Sequence, residues 1–155
     1  GFVLATAGKA AEASDSLQRA IQLDGRTVQN VAWLGLTYAI SGRIAEARAC
    51  LTELEAHEKE GKSVSAWKLA VHAGLGNLDA VMKCLNEGFD ERSSSLVFHL
   101  THPVTDGLRG DPRFTDLLER MGVPHLATYR PNPAWTPVGE SASASSSAPY
   151  EPRPT

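Results

Sequence analysis

The sequence lacks any concentrated positive charge and any long apolar run. Its 155 residues carry 15 Lys and Arg against 18 Asp and Glu, for a formal net charge of −3. Binding to nucleic acid or to an anionic membrane rewards a concentrated basic face, so the composition disfavours both partners. No apolar stretch reaches the length of about 18 residues that spans a membrane, and no basic start precedes an apolar segment as in a secretory signal. The length suffices for one domain with a core.

Cysteine is scarce as well. Cys50 and Cys84 are the only two, and they lie 34 residues apart. In the repeat described below they occupy the same site on successive helices, roughly 10 Å or more apart, which exceeds the limit of about 7 Å between the Cα atoms of a disulfide. We therefore predict two reduced thiols and not a redox pair, which suits a cytoplasmic protein.

Catalytic motifs are missing too. The sequence shows no Ser-His-Asp set, nucleophile elbow, phosphate-binding loop or paired-carboxylate pattern on a recognisable scaffold. His99 and His102 have a spacing that can bind zinc, but Pro103 ends the helix there and two ligands are too few for a zinc site. His72 is expected to be a hydrogen-bonded interior histidine. We predict no enzymatic activity, no cofactor and no metal.

What the sequence does contain is a stretch, 31–54, with the apolar spacing of two amphipathic helices. Apolar residues recur at steps of three and four on both sides of Gly42: Val31, Leu34, Tyr38, Ile44, Ala47, Leu51 and Leu54. Gly42 interrupts the pattern as a turn residue would. Gly35 and Ala47 place almost no side chain on the facing sides, so the two backbones can approach closely. The stretch predicts a helical hairpin.

The hairpin recurs at intervals of 34 residues. Gly42 is matched by Gly8 and Gly76, and Leu51 is matched by Leu17 and Leu85. A 34-residue helix-turn-helix unit is typical of tetratricopeptide repeats. This chain resembles them at Leu34-Gly35, Tyr38, Gly42, Ala47 and Leu51, over roughly residues 1–90. The first repeat is truncated, and the third departs from the pattern with His72 in place of Tyr38. The resemblance implies an all-α, right-handed solenoid of about 2.5 repeats.

The repeat period is not followed beyond residue 93. Serines 93–95 offer a cap for a short helix over 96–100, and a second helix is delimited by Asp111 as cap, Pro112 at the first position and Gly122 at the end. We predict a C-terminal helical cap over residues 91–127 and a disordered tail, rich in Pro, Ser and Ala, over residues 128–155. Within the repeats, Ser63 is expected to cap a helix over 63–75, and Gly88 to end the next helix.

A second resemblance concerns this C-terminal segment. The motifs Leu96-Val97-Phe98, Gly110-Asp111-Pro112-Arg113-Phe114, Leu117-Leu118 and Met121-Gly122 are similar to the close of tetratricopeptide regions in bacterial multidomain signalling proteins. In those proteins the repeats follow a winged-helix DNA-binding domain, a nucleotide cyclase domain or a serine/threonine kinase domain. Because the chain opens at Gly1 inside a helix, the resemblance implies that such an effector domain lies upstream.

The expected function is a non-catalytic protein-interaction scaffold or sensory module of a bacterial signalling or transcription-regulatory protein. An alternative is an accessory region of a nucleotide cyclase or kinase whose catalytic domain lies upstream. Self-association through the open face of the first hairpin is a third possibility.

The resemblance also implies a binding groove, because the first helices of successive tetratricopeptide repeats line a surface that receives a peptide or a helix. The matching positions here are Gln29, Ala32, Trp33, Leu36, Ile40, Ser63, Ala66, Trp67 and Ala70. Alanine and leucine replace the Lys and Asn of carboxylate-binding members, so we expect an apolar helix or peptide held on Trp33 and Trp67. Alternatively, the cap or the tail of the chain fills the groove, or both tryptophans pack between helices.

Overall fold

The computed structural model describes residues 10–129, and this range contains seven α-helices, two 3₁₀ helices and no strand. The α-helices are α1 (Ala10–Asp24), α2 (Val28–Ile40), α3 (Ile44–Lys59), α4 (Ser65–Gly74), α5 (Leu78–Asp90), α6 (Ser95–Leu100) and α7 (Pro112–Arg120). The 3₁₀ helices are Pro103–Leu108 and Pro124–Thr128. The expectation of an all-α chain is confirmed. Residues 1–9 lie outside the described range, and with them the helix expected at the start of the chain and Gly8. Nearly all of the predicted tail lies outside it as well. None of the helices within 10–129 combines the length and the apolarity needed to cross a membrane.

The central hairpin forms as its apolar spacing predicts. Thr27 caps α2, because its side chain accepts a hydrogen bond from the backbone N–H of Asn30. The turn to α3 passes through Gly42 at φ +74°, a left-handed backbone conformation that L side chains rarely adopt. The helix pair therefore turns at the residue where the apolar pattern pauses.

Helix α2 lies at the centre of the packing, in contact with α1, α3 and α4. A Cβ atom added at Gly35 would lie 2.8 Å from Cγ2 of Val71 on α4 and 2.9 Å from Cβ of Cys50 on α3. Gly74 makes the reciprocal approach, since a Cβ there would lie 2.8 Å from Cβ of Ala39. The predicted close approach at Gly35 is therefore present. It brings α2 close to α4 as well as to α3, its partner in the hairpin.

The 34-residue spacing extends past residue 93, where the sequence analysis ended it. Gly76 and Gly110 repeat the left-handed conformation of Gly42, at φ +72° and +100°. Helix α7 lies on α5 through hydrogen bonds between residues 34 apart: Arg113 Nη1 to Asp79 Oδ1 at 2.8 Å and Arg120 Nη1 to Asn86 Oδ1 at 3.4 Å. Within residues 10–129, two complete helix pairs, α2 with α3 and α4 with α5, are thus followed by another, made of α6 with the 103–108 turn and α7. We call this last one the third pair.

The first helix of this third pair is broken, which hides the repeat in the sequence. Pro103 has no N–H to donate and begins a separate 3₁₀ helix, so the chain changes direction between Leu100 and Val104. The apolar spacing of one long helix is lost, although the glycine turn that follows is kept. Helix α7 itself begins as predicted, with Asp111 accepting a hydrogen bond from the N–H of Arg113.

Two predicted boundaries were wrong. Helix α4 begins at Ser65 and not at Ser63, and the hydroxyls of both serines instead donate to the Glu91 carboxylate at 2.9 and 2.7 Å. Gly88 does not end α5, which continues to Asp90. A Cβ at Gly88 would lie 3.4 Å from Leu96 of α6, so this glycine sits where α5 meets the third pair.

Candidate functional site

The nine residues predicted to line a groove lie on α2 and α4 and in the segments that lead into these helices. Five are buried, two are half-buried and two are exposed. The buried ones are Ala32, Trp33, Leu36, Ala66 and Ala70; the half-buried ones are Ile40 and Trp67; the exposed ones are Gln29 and Ser63. The predicted face is therefore mostly covered, with Trp67 at its accessible margin.

The two tryptophans meet in this face. Trp33 and Trp67 hold equivalent places on α2 and α4, with ring centroids 5.9 Å apart and ring planes at 90°. An edge-to-face pair of this kind is a favoured aromatic arrangement. The 34-residue spacing of the tryptophans in the sequence thus becomes direct contact between neighbouring helices.

Helix α6 covers the tryptophan pair. Trp33 lies 6.1 Å from the ring of Phe98, 5.9 Å from that of His99 and 5.6 Å from that of His102. His99 also lies edge-on against Trp67 at 5.3 Å. We call these five residues the aromatic cluster. Of the alternatives left open by the sequence, the one in which the cap covers the tryptophans matches the described residues.

The hydrogen bonds of the two histidines assign their tautomers. His99 Nδ1 lies 2.8 Å from the carbonyl oxygen of Ser95, so Nδ1 carries the proton and donates it. The N–H of Val104 donates to His102 Nδ1 at 3.1 Å, so that nitrogen is unprotonated. His99 Nε2 is buried and has no hydrogen-bond partner among the described residues.

Burial controls the charge of this pair. Desolvation lowers the pKa of His99 to about 4 and the pKa of His102 to about 3, with the charge of His99 lowering the latter further. Both imidazoles are therefore neutral at pH 7. The cluster is an apolar, aromatic surface at neutral pH, although two of its five members can take up protons.

One edge of the cluster is open to solvent. Val97 and Phe98 on α6 are 60% and 48% exposed. Beside them, residues from α5, α6 and the end of α7 enclose a hollow of about 290 Å³, lined by Gly88, Phe89, Arg92, Ser93, Ser94, Leu96, Val97 and Met121. The outer side of α6 is thus an apolar margin next to the covered tryptophans.

Two further depressions lie on the described part of the chain, away from the aromatic cluster. The larger, about 600 Å³, separates α5 from α7 and includes Asp79, Lys83, Arg113 and Asp116 among its lining residues. The smaller, about 340 Å³, lies beside His72. His72 is half-buried and its ring makes no hydrogen bond within residues 10–129, so the expectation of a hydrogen-bonded interior histidine was wrong, although burial does lower its pKa. Positive and negative side chains alternate in the larger depression, which disfavours a ligand of one strong charge.

The two thiols are poor nucleophiles. Cys50 and Cys84 are buried and free, as predicted. Burial raises the pKa of Cys50 to about 11 and that of Cys84 to about 12, so both remain protonated at neutral pH. Among residues 10–129, no group of three or more His, Cys, Asp and Glu side chains could hold a metal ion.

Sequence reasoning missed Phe98, His99 and His102 as members of the aromatic cluster. It noticed the two histidines only as a weak metal pattern. A usable signal was present, because Phe98 and His102 are four residues apart, a spacing that would place both side chains on one face of a continuous helix. Ring residues at that spacing, in a segment expected to close the repeats, indicate a face that packs on other rings.

Comparisons with protein-family models, with curated proteins and with solved structures found no match to this chain. The function proposed next therefore rests on the residues and their geometry.

Proposed function

We propose that the chain is a tetratricopeptide-like solenoid that acts as a non-catalytic protein-interaction scaffold or sensory module. The fold part of the proposal is supported by the shared turn geometry of Gly42, Gly76 and Gly110 and by the contacts of α2 with α4 and of α5 with α7. These features give equivalent helices a side-by-side arrangement at a 34-residue interval.

The observation that carries the functional part is that a short helix of the chain itself is seated on the tryptophan pair. Leu96 and Leu100 of α6 are buried, at 2% and 0% exposure, while the rings of Phe98 and His99 contact Trp33. The face formed by α2 and α4 therefore has the shape and chemistry to hold a short apolar helix with ring side chains. We propose that the partner is a helix of this kind and that it takes the place of α6.

A peptide with the sequence of residues 93–109 is a defined probe for this proposal. It is labelled with a fluorophore and titrated with the full chain at pH 7.5, and its anisotropy is measured. In the wild-type chain the attached α6 competes at an effective concentration of about 1 mM or more, so binding is expected to be weak. A variant with Leu96→Ala and Leu100→Ala loses the buried side chains that hold α6, and saturable binding is expected.

Two further variants make the test specific. Adding Trp33→Ala to the double variant removes the central ring of the cluster and is expected to abolish binding. Val97→Ala changes an exposed residue of the same helix and should bind as weakly as the wild type. Failure of the double variant to bind, with its helical circular dichroism retained, would refute the proposed binding face. Binding of a second copy of the chain, seen by sedimentation, would instead favour self-association.

A further inference from the structure

The cover over the tryptophan pair is a short and locally weak segment. Helix α6 has six residues, and Ser94 at its N-terminal cap makes no side-chain capping hydrogen bond. The helix stops at Thr101, and a 3₁₀ helix follows from Pro103. A helix of this length has almost no stability of its own, so its position depends on the side chains it buries.

This cover buries two histidines, His99 on α6 and His102 at the start of the 103–108 turn. A proton added to His99 would go to Nε2, because Nδ1 already donates to Ser95. That nitrogen is buried without an acceptor in the described part of the chain, so the new charge would be neither hydrated nor hydrogen-bonded. Stacking of His99 on Trp33 at 5.9 Å would offset only part of this cost, since cation–π attraction is weaker than the loss of hydration.

Most charged groups on the neighbouring elements are paired with residues outside the aromatic cluster, and the exposed Asp90 and Arg92 lie at the surface end of α5. On α4, Lys68 is paired with Glu58; after α5, Glu91 accepts from two serines; and on the 103–108 turn, Asp106 is paired with Arg109. Lys83 and Glu87 of α5 pair with each other, and His72 of α4 has its own pKa lowered by burial. Helix α2 contributes no Asp, Glu, Lys, Arg or His. Within residues 10–129, no carboxylate is hydrogen-bonded or ion-paired to His99, so a charge on this ring would have no such partner there.

We propose that α6 and the 103–108 turn form an acid-released cover, in which protonation of His99 and His102 detaches the segment and exposes Trp33 and Trp67. The release is a property of the cover itself. Only the binding of a partner to the exposed face rests on the proposed function.

The direction follows from proton linkage. With the cover in place the pKa values of His99 and His102 are about 4 and about 3, whereas a detached segment would have ordinary values of about 6.5. Between pH 7.5 and pH 5 the detached state therefore binds more protons. Each histidine should shift the equilibrium toward release by about 30-fold over that range.

Amide hydrogen exchange of the full chain tests this inference. Protection factors for residues 96–108, corrected for the intrinsic pH dependence of exchange, are compared at pH 7.5 and pH 5.0. We expect protection there to fall by about 30-fold or more while protection in α3 is retained. Equal protection at both pH values would overturn the proposal, and so would a parallel loss in α2–α5, which would indicate global acid unfolding.

A double variant, His99→Phe with His102→Asn, isolates the histidines from the nearby carboxylates. Phenylalanine keeps a ring on Trp33, and asparagine keeps an oxygen to accept the Val104 N–H, but neither titrates. The fall in protection is expected to shrink below about 3-fold, whereas His125→Asn, at an exposed histidine outside the cluster, should behave as wild type. A full-sized fall in the double variant would assign the effect to other groups and overturn the proposal.

Imidazole titration of the wild type by NMR covers the case in which the double variant does not fold. We expect both cluster histidines to titrate only as the 96–108 amides lose protection. Titration of either near pH 6.5 with those amides still protected would overturn the inference. These measurements involve no partner, so failure here leaves the peptide-binding proposal standing, and a failed peptide titration at pH 7.5 leaves the acid release standing.

Discussion

The helix pairs approach each other closely at Gly35, and substitution of this glycine tests the packing directly. Gly35→Ala places a Cβ 2.8 Å from Cγ2 of Val71 and 2.9 Å from Cβ of Cys50, both distances shorter than real Cβ contacts allow. Val71 and Cys50 are 0% and 3% exposed, and the Cβ of Cys50 cannot rotate away. The helices must therefore separate to accommodate the methyl group.

The expected result is a balance of two effects. Overpacking a tight core site costs about 1–3 kcal/mol. Replacing glycine by alanine inside a helix returns up to about 1 kcal/mol. We therefore expect Gly35→Ala to lower the free energy of unfolding by about 1–2 kcal/mol, measured by urea denaturation followed by circular dichroism.

Gly88→Ala is the matched control. Gly88 also lies in a helix, but a Cβ there would meet Leu96 at 3.4 Å and Ala66 at 3.8 Å, which are ordinary contact distances. This variant should be as stable as the wild type or more stable by up to about 1 kcal/mol. If Gly35→Ala proved as stable as Gly88→Ala, α2 would not pack on α3 and α4 as closely as described, and the reasoning would be refuted.

Two further predictions concern buried groups away from the aromatic cluster. Arg109 has a side chain that is 1% exposed, is paired with Asp106 and donates to the carbonyls of Leu100 and Leu126. Arg109→Met should therefore cost about 3 kcal/mol in the same denaturation assay, whereas Arg113→Met, at an exposed arginine, should destabilise the chain clearly less. The thiols of Cys50 and Cys84 should not react with an aromatic disulfide reagent at pH 8 until the chain unfolds. Because burial raises the pKa of both thiols, their contribution to stability is complete below about pH 8.5 and is lost as the pH rises toward 11. A rapid reaction of the native protein with the reagent at pH 8 would contradict the burial of the two thiols.

The sequence could predict the helical hairpins because their signals are local. The apolar spacing of 31–54, the glycine at position 42 and the Asp111-Pro112 start each depend on residues within a few turns of one another. Helices α2 and α3 form the hairpin predicted over 31–54, and α7 begins at the predicted proline. These elements are specified by nearest neighbours along the chain, so they required no knowledge of the tertiary structure.

The rest depended on contacts between distant segments. Ser63 has the right chemistry for a cap, but its hydroxyl donates to Glu91, 28 residues away, and the helix begins two residues later. The cover over the tryptophans depends in the same way on how α6 packs after the break at Pro103. Sequence alone could place a tryptophan pair on one face but could not decide which segment covers it.

The tryptophan pair of the aromatic cluster follows the 34-residue spacing, and the other three ring residues do not. Because equivalent positions on successive first helices lie side by side, Trp33 is brought against Trp67, and the next equivalent position is Thr101 in the segment that ends α6. The ring residues of the third pair are not at that position but flank it, at Phe98, His99 and His102. All three lie against Trp33, next to the break at Pro103. The rings around the break thus lie on the face that carries the tryptophan pair. Residues that depart from the repeat pattern are therefore those that decide whether the face is covered or open.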